Sequence, residues 1–314
     1  MGQLMSFIQY VTQILSSLGM LSMLMVILPR ANISAKRINE VLQLKTVISE
    51  PAEPKIPNEA SGLSKGTLEF KNVSFTYPGS ENAVLSDINF TAEGGKTTAI
   101  IGSTGSGKST LLSLIPRLYD VSSGSVLLDG LDLRDFSVSD LRSRIGYVPQ
   151  KGYLFTGTIA DNVRFGCPQA TDEQVKAALK TAQAWDFVSR KEKGIEEEIS
   201  QGGKNVSGGQ KQRLAIARAI VRDCELYIFD DSFSALDFET DSRLRAALSK
   251  DNRLGKATRI IVAQRVSTIM DADNIVVLDN GKIVGQGCHK DLLKNCPLYY
   301  EIAASQLSEE ELNK

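Results

Sequence analysis

The chain has 314 residues, enough for one large domain or two smaller ones with real cores. Its 36 basic and 37 acidic residues leave a net charge of −1, which argues against a broad electrostatic surface for nucleic acid. The four cysteines, Cys167, Cys224, Cys288 and Cys296, show no metal or redox spacing and read as reduced thiols of a cytosolic domain, and the single histidine, His289, excludes any mechanism needing histidine elsewhere.

The first 29 residues carry no charged side chain and hold five of the six methionines. As a helix rising about 1.5 Å per residue, this stretch could cross a hydrocarbon core of about 30 Å. Its glutamines, serines and Thr12 suit packing between helices better than lipid contact on all sides. It lacks the basic leader and small-residue cleavage site of a signal peptide, and a buried amphipathic helix of a soluble protein is the other reading. Arg30, Lys36, Arg37 and Lys45 follow, so the positive-inside rule puts the remainder in the cytoplasm. Ile33, Ile38, Val41 and Leu42 keep helical spacing, which predicts that the helix continues past Pro29 to about residue 45. Residues 46–66, with Pro51, Pro54 and Pro57, read as a linker. From Leu68 short apolar runs alternate with helical stretches, the pattern of an α/β domain with a largely parallel sheet. Its expected limits are 67–305, with a helical subdomain inserted at about 152–222 and a tail at 306–314.

A β-prone run, Thr97 to Ile101, leads into Gly102, Ser103, Thr104, Gly105, Ser106, Gly107, Lys108, Ser109 and Thr110, and the apolar helical stretch "LLSLI" follows. This is the P-loop pattern in its strand–loop–helix setting. The glycines let backbone N–H groups wrap phosphate oxygens at a helix N-terminus. Lys108 is placed to reach the outer phosphates and the Ser109 hydroxyl to ligate Mg²⁺. Further on, "LYIFD" delivers Asp230 from the end of a mostly apolar run, where a carboxylate holds the metal largely through water. The next position, where many nucleotide hydrolases have a glutamate base, is Asp231. Together these motifs give a nucleotide-binding class and no more.

"NVSGGQKQRLAIARAI", Asn205 to Ile220, then narrows the class. Ser207, Gly208, Gly209 and Gln210 at the mouth of an amphipathic helix, between P-loop and Asp230, resemble the signature motif of ABC ATPases. Tyr77 in "SFTYPG" resembles the aromatic that stacks on adenine. Gln150 in "YVPQ" resembles the Q-loop glutamine that touches Mg²⁺, and "SALD", ending at Asp237, resembles the D-loop that crosses to a partner. "LFTGTIADNVRFG" is similar to the segment after the Q-loop in ABC exporters. The resemblance covers nearly the whole chain. It implies an α/β P-loop NTPase with a RecA-like core and an inserted helical subdomain, preceded by one long transmembrane and cytosolic helix, and anchored in the cell membrane with its ATPase domain in the cytoplasm.

Two positions depart from that family pattern. Asp231 stands at the catalytic glutamate, one methylene short, and Gln264 in "IIVAQRVSTI" stands at the switch histidine, where an amide cannot titrate. Both together, with the wording "DDSFSALD", resemble the degenerate subunit of heterodimeric exporters. The resemblance therefore implies poor hydrolysis at this chain's own site. It also implies a signature motif lent to a partner half-transporter bearing glutamate and histidine, and an amphiphilic cargo. Such exporters carry six membrane helices and this chain has one candidate, so it is expected to be the C-terminal portion of one half and not to transport by itself. The rival readings are a slow homodimer with Asp231 as base, an ABC-type switch of chromosome or repair type, and a non-functional remnant. The second of these would carry a long coiled-coil insertion between Gln150 and Ser207, which is not present.

Overall fold

The computed structural model describes residues 2–44, 46, 48–57, 62–308 and 312. Lys45, one of the cations expected after the apolar segment, and parts of the expected linker and tail lie outside the described residues. The chain divides into two units, residues 1–49 and 50–314.

The first unit is one helix, α1 (Gly2–Leu42), which passes through Pro29 and buries none of its side chains. At about 1.5 Å per residue it is about 60 Å long, and it is long and apolar enough to cross a membrane. The hydroxyls of Ser6, Thr12, Ser16, Ser17 and Ser22 each donate to the carbonyl four residues back. Their polarity is thus satisfied within the helix, which makes them tolerable in an apolar segment.

The second unit begins with β1 (Leu68–Phe75), β2 (Leu85–Ala92) and β3 (Thr97–Gly102). It continues through α2 (Lys108–Leu114), β4 (Ser123–Leu128), β5 (Leu131–Asp132), α3 (Val138–Ser143) and β6 (Ile145–Val148). A mostly helical stretch follows: β7 (Gly157–Thr158), α4 (Ile159–Arg164), α5 (Asp172–Thr181), α6 (Trp185–Val188), β8 (Glu198–Ile199) and α7 (Gly208–Ile220). The chain then returns to the core as β9 (Leu226–Asp230), α8 (Phe238–Lys250), β10 (Thr258–Val262) and α9 (Val266–Ile269). It closes with β11 (Asn274–Asp279), β12 (Lys282–Gly287), α10 (His289–Asn295) and α11 (Pro297–Ala304).

Six strands form the central sheet in the order β12-β11-β3-β10-β9-β6, parallel except for β12. Alternation along each strand splits the core into two layers. Ala99, Ile101, Tyr227, Phe229 and Ile261 face the layer that includes the helical stretch. Ile100, Leu226, Ile228, Ile260 and Val262 face the other. Burying each isoleucine, leucine, valine or phenylalanine among them is worth roughly 1.5–3 kcal/mol. That second layer is closed by a four-stranded antiparallel sheet, β2-β1-β4-β5, which the sequence reading did not separate from the parallel one. Within the expected linker, Glu50 accepts the N–H of Val138, and Lys55 pairs with Asp135 through both backbone and side chain.

Candidate functional site

Four neighbouring parallel strands, β3, β10, β9 and β6, end at the same edge of the sheet, the place where open α/β sheets build their sites. From β3 comes the loop 102–107, which runs into α2. From β9 come Asp230 and Asp231, from β6 the turn carrying Gln150, and from β10 the loop carrying Gln264. They enclose a cavity of about 260 Å³ lined by Thr104, Gly105, Gly107, Lys108, Ser109, Thr110, Gln150, Asp230, Asp231 and Gln264, with Val84 and Val262 as apolar walls.

The loop is built as a cradle. Gly107 caps α2 at φ 102°, a left-handed conformation, and a Cβ there would lie 2.7 Å from Leu85. At Gly102 a Cβ would lie 2.0 Å from the Leu278 carbonyl oxygen, so only glycine lets the loop leave β3 beside β11. Lys108 folds back over the loop, its Nζ donating to the carbonyls of Gly102 at 2.8 Å and Ser103 at 2.7 Å. Partial burial lowers its pKa, against the opposing pull of Asp231 and Asp230. Ser106 is buried beneath the loop. Gly102, Ser103 and Ser106 therefore shape the cradle without lining the cavity.

The two aspartates sit in different surroundings. Burial pushes the Asp230 carboxyl above the usual range, and the charge of Asp231 adds to this. A hydrogen bond from the Tyr147 hydroxyl at 3.2 Å and the nearby Lys108 work the other way. Asp231 leaves β9 at φ 45°, its N–H bound to the Val262 carbonyl at 3.0 Å. Its Oδ2 accepts two amides, Gln150 Nε2 at 3.1 Å and Gln264 Nε2 at 2.7 Å. Asp231, Gln150 and Gln264 thus form one hydrogen-bonded cluster on the cavity wall. His289 is elsewhere, on α10, its Nδ1 2.7 Å from the Tyr299 hydroxyl.

The remaining expected residues are not brought to the cavity. Tyr77 reaches its edge indirectly, its hydroxyl 3.0 Å from Thr110 Oγ1 and its ring edge-on to Phe75 and Tyr119. Ser207 caps α7 with a reciprocal box to Gln210, and Ser207 and Gly208 are exposed. Asp237 caps α8, accepting from Thr240 N–H at 2.9 Å and Thr240 Oγ1 at 2.8 Å, which hold its carboxyl below the usual range. Sequence reasoning missed Tyr147, whose signal was its place one strand over from Asp230. Ser232 was missed as well, a fully buried hydroxyl that donates to the Val148 carbonyl at 3.1 Å and ties β9 to β6.

The donor set suits the groups expected from sequence. The Ser109 hydroxyl, the Asp230 carboxylate and the Gln150 carbonyl oxygen are hard oxygen donors of the kind Mg²⁺ takes. The glycine cradle with Lys108 suits phosphate.

Residues 85–234 match the family model described as ABC transporter. An ABC transporter ATP-binding protein of Mycobacterium bovis is 49% identical over 308 residues, covering 97% of this chain and 52% of its own length. One of Bacillus subtilis is 40% identical over 98% of this chain and 52% of its own. An ATP-dependent lipid A-core flippase of Yersinia pestis is 42% identical over 78% of this chain and 42% of its own. Among solved structures, a bacterial Atm1-family ABC exporter with ATP bound superposes with a TM-score of 0.83 at 34% identity, over 96% of this chain and 52% of that one. The chain thus spans about half the length of the relatives it matches.

Proposed function

We propose, from the premise that this chain carries the ATP-binding domain of an ABC transporter of the exporter type, that it is the nucleotide-binding part of a subunit with a degenerate site. Its own P-loop holds Mg·ATP and hydrolyses it slowly. Its signature residues, Ser207 to Gln210, complete the site of a second, different half-transporter that carries glutamate and histidine.

The observation that carries this reading is the Asp231 cluster. The carboxylate at the base position has one oxygen shared by two glutamine amides, with Gln264 Nε2 2.7 Å away. A side chain one methylene short moves a base by about 1 Å, which is worth roughly 100-fold in rate. The amide of Gln264 can hydrogen-bond a phosphate but cannot carry a proton to or from it. Bound Mg²⁺ would neutralise phosphate charge, held by Ser109, Asp230 and Gln150. Lys108 would leave the carbonyls of Gly102 and Ser103 for phosphate oxygens. The ring of Tyr77, beside the loop, is the aromatic for adenine stacking. Asp237 belongs to the segment that meets the partner.

The exposed N-terminus of α7 at Ser207 and Gly208 supports the lent signature, because N–H groups at a helix start attract phosphate. We assign residues 1–45 to the last membrane helix and its extension, 46–66 to a linker, 67–305 to the ATPase domain in the cytoplasm and 306–314 to a tail. The cargo is an amphiphilic small molecule, in keeping with the lipid named for the Yersinia relatives. No nucleic acid is involved.

The test is the fate of bound nucleotide. The full chain in detergent is loaded with Mg·ATP, freed of excess, and its nucleotide analysed over hours. Nucleotide recovered mainly as ATP, and lost in Lys108→Ala, is the expected result. Conversion of most of the bound ATP to ADP within those hours, abolished by Asp231→Asn, would instead favour a homodimer that hydrolyses with Asp231 as base.

A further inference from the structure

The Q-loop is held by a side chain that belongs to neither the P-loop nor the signature. Gln212 lies one turn into α7 and is only 2% exposed. Its Nε2 donates to the Pro149 carbonyl at 3.0 Å, and its Oε1 accepts the Gly152 N–H at 2.9 Å. One amide thus clamps the backbone on both sides of Gln150, satisfying a donor and an acceptor that would otherwise be stranded beside a buried helix face. Gln150 in turn donates to Asp231. A continuous hydrogen-bonded path therefore runs from the helix capped by Ser207, through Gln212 and the Pro149–Gly152 turn, to the carboxylate in the cavity.

We infer that Gln212 is a positioning residue that couples the two halves of the chain's work. It makes the Gln150 turn and α7 move as one body, so that a ligand engaging Gln150 in the cavity displaces the outward-facing start of α7. The inference rests on the nucleotide reading above and adds a route between its two ends. Each link of the route is a direct hydrogen bond, and the coupling it would carry is what the experiment below measures. Packing sharpens it: a Cβ on Gly152 would lie 2.9 Å from the Lys211 carbonyl and 3.1 Å from the Ala215 Cβ, so the turn already rests against α7 without room for a methyl.

The experiment is hydrogen exchange on the full chain in detergent, with and without saturating Mg·ATP, read at residues 149–153 and 207–211. In the parent chain ATP is expected to change exchange at both segments. In Gln212→Met, similar in size but without the amide, ATP still binds and still changes 149–153, while the change at 207–211 shrinks by about fivefold or more. Gly152→Ala, which wedges the turn off the helix and leaves Gln212 in place, is expected to give the same loss. A thermal melt on each variant separates lost coupling from lost fold. If both variants bind ATP and transmit its effect undiminished, the inference is overturned. It is also overturned if the parent binds ATP and 207–211 does not respond. A parent chain that binds no ATP would overturn both this inference and the nucleotide reading beneath it.

Discussion

Asp230 and Asp231 are consecutive yet differently placed. Asp230 ends a strand and faces Tyr147 and Lys108, whereas Asp231 turns into the left-handed region, which aspartate tolerates better than most residues. The Asp230 carboxyl binds its proton more tightly folded than unfolded, because burial penalises its charge. Its favourable contribution is therefore complete below the unfolded value near 3.8 and is lost as pH rises through the folded value. Asp230→Asn removes that loss while keeping the shape and an acceptor for Tyr147. Without Mg²⁺ the variant should be more stable than the parent at pH 7, and the gap should close as pH falls toward the unfolded value. Urea unfolding at a series of pH values measures this. A gap independent of pH would contradict the burial argument.

β9 shows how an element serves both core and site. All five of its residues are buried, Leu226 and Ile228 on one layer, Tyr227 and Phe229 on the other, and its end delivers Asp230. Ile228→Ala should cost about 2–5 kcal/mol in denaturant unfolding, and a loss under about 1 kcal/mol would mean the layer can collapse around the gap. This strand was legible from sequence because a strand buried on both faces reads as a nearly continuous apolar run. The antiparallel sheet was not. β1 pairs with β4 across Leu68–Leu128 and carries register shifts, and such long-range pairing leaves no local periodic mark. The helical stretch was visible as helices, but the two-residue strands β7 and β8 that pair within it were too short to signal themselves.

At the scale of the molecule, the cavity residues were legible because loop chemistry at strand ends is written in short motifs, from Gly102 to Thr110 and at Asp230. The ties that hold those motifs together were not. Ser232 to Val148, Tyr147 to Asp230 and Gln212 to the Gln150 turn join residues about 60 or more positions apart, and each exists only once the sheet and α7 are packed. The exposed features are of another kind. Ser207 and Gly208 at the start of α7, the apolar surface of α1, and Phe155 and Phe165, tilted rings with centroids 4.6 Å apart beside Arg218, are all exposed. These surfaces are open to further contacts, whereas the proposed hydrolytic defect rests on two side chains at the cavity, Asp231 and Gln264.

That assignment is tested most directly by steady-state ATPase activity of the full chain beside the double variant Asp231→Glu, Gln264→His, with ATP binding confirmed for each by equilibrium titration. A degenerate site predicts that the natural chain binds ATP with little turnover and that the double variant gains about 100-fold or more. Equal rates in the two would contradict it, and would make Asp231 a working base.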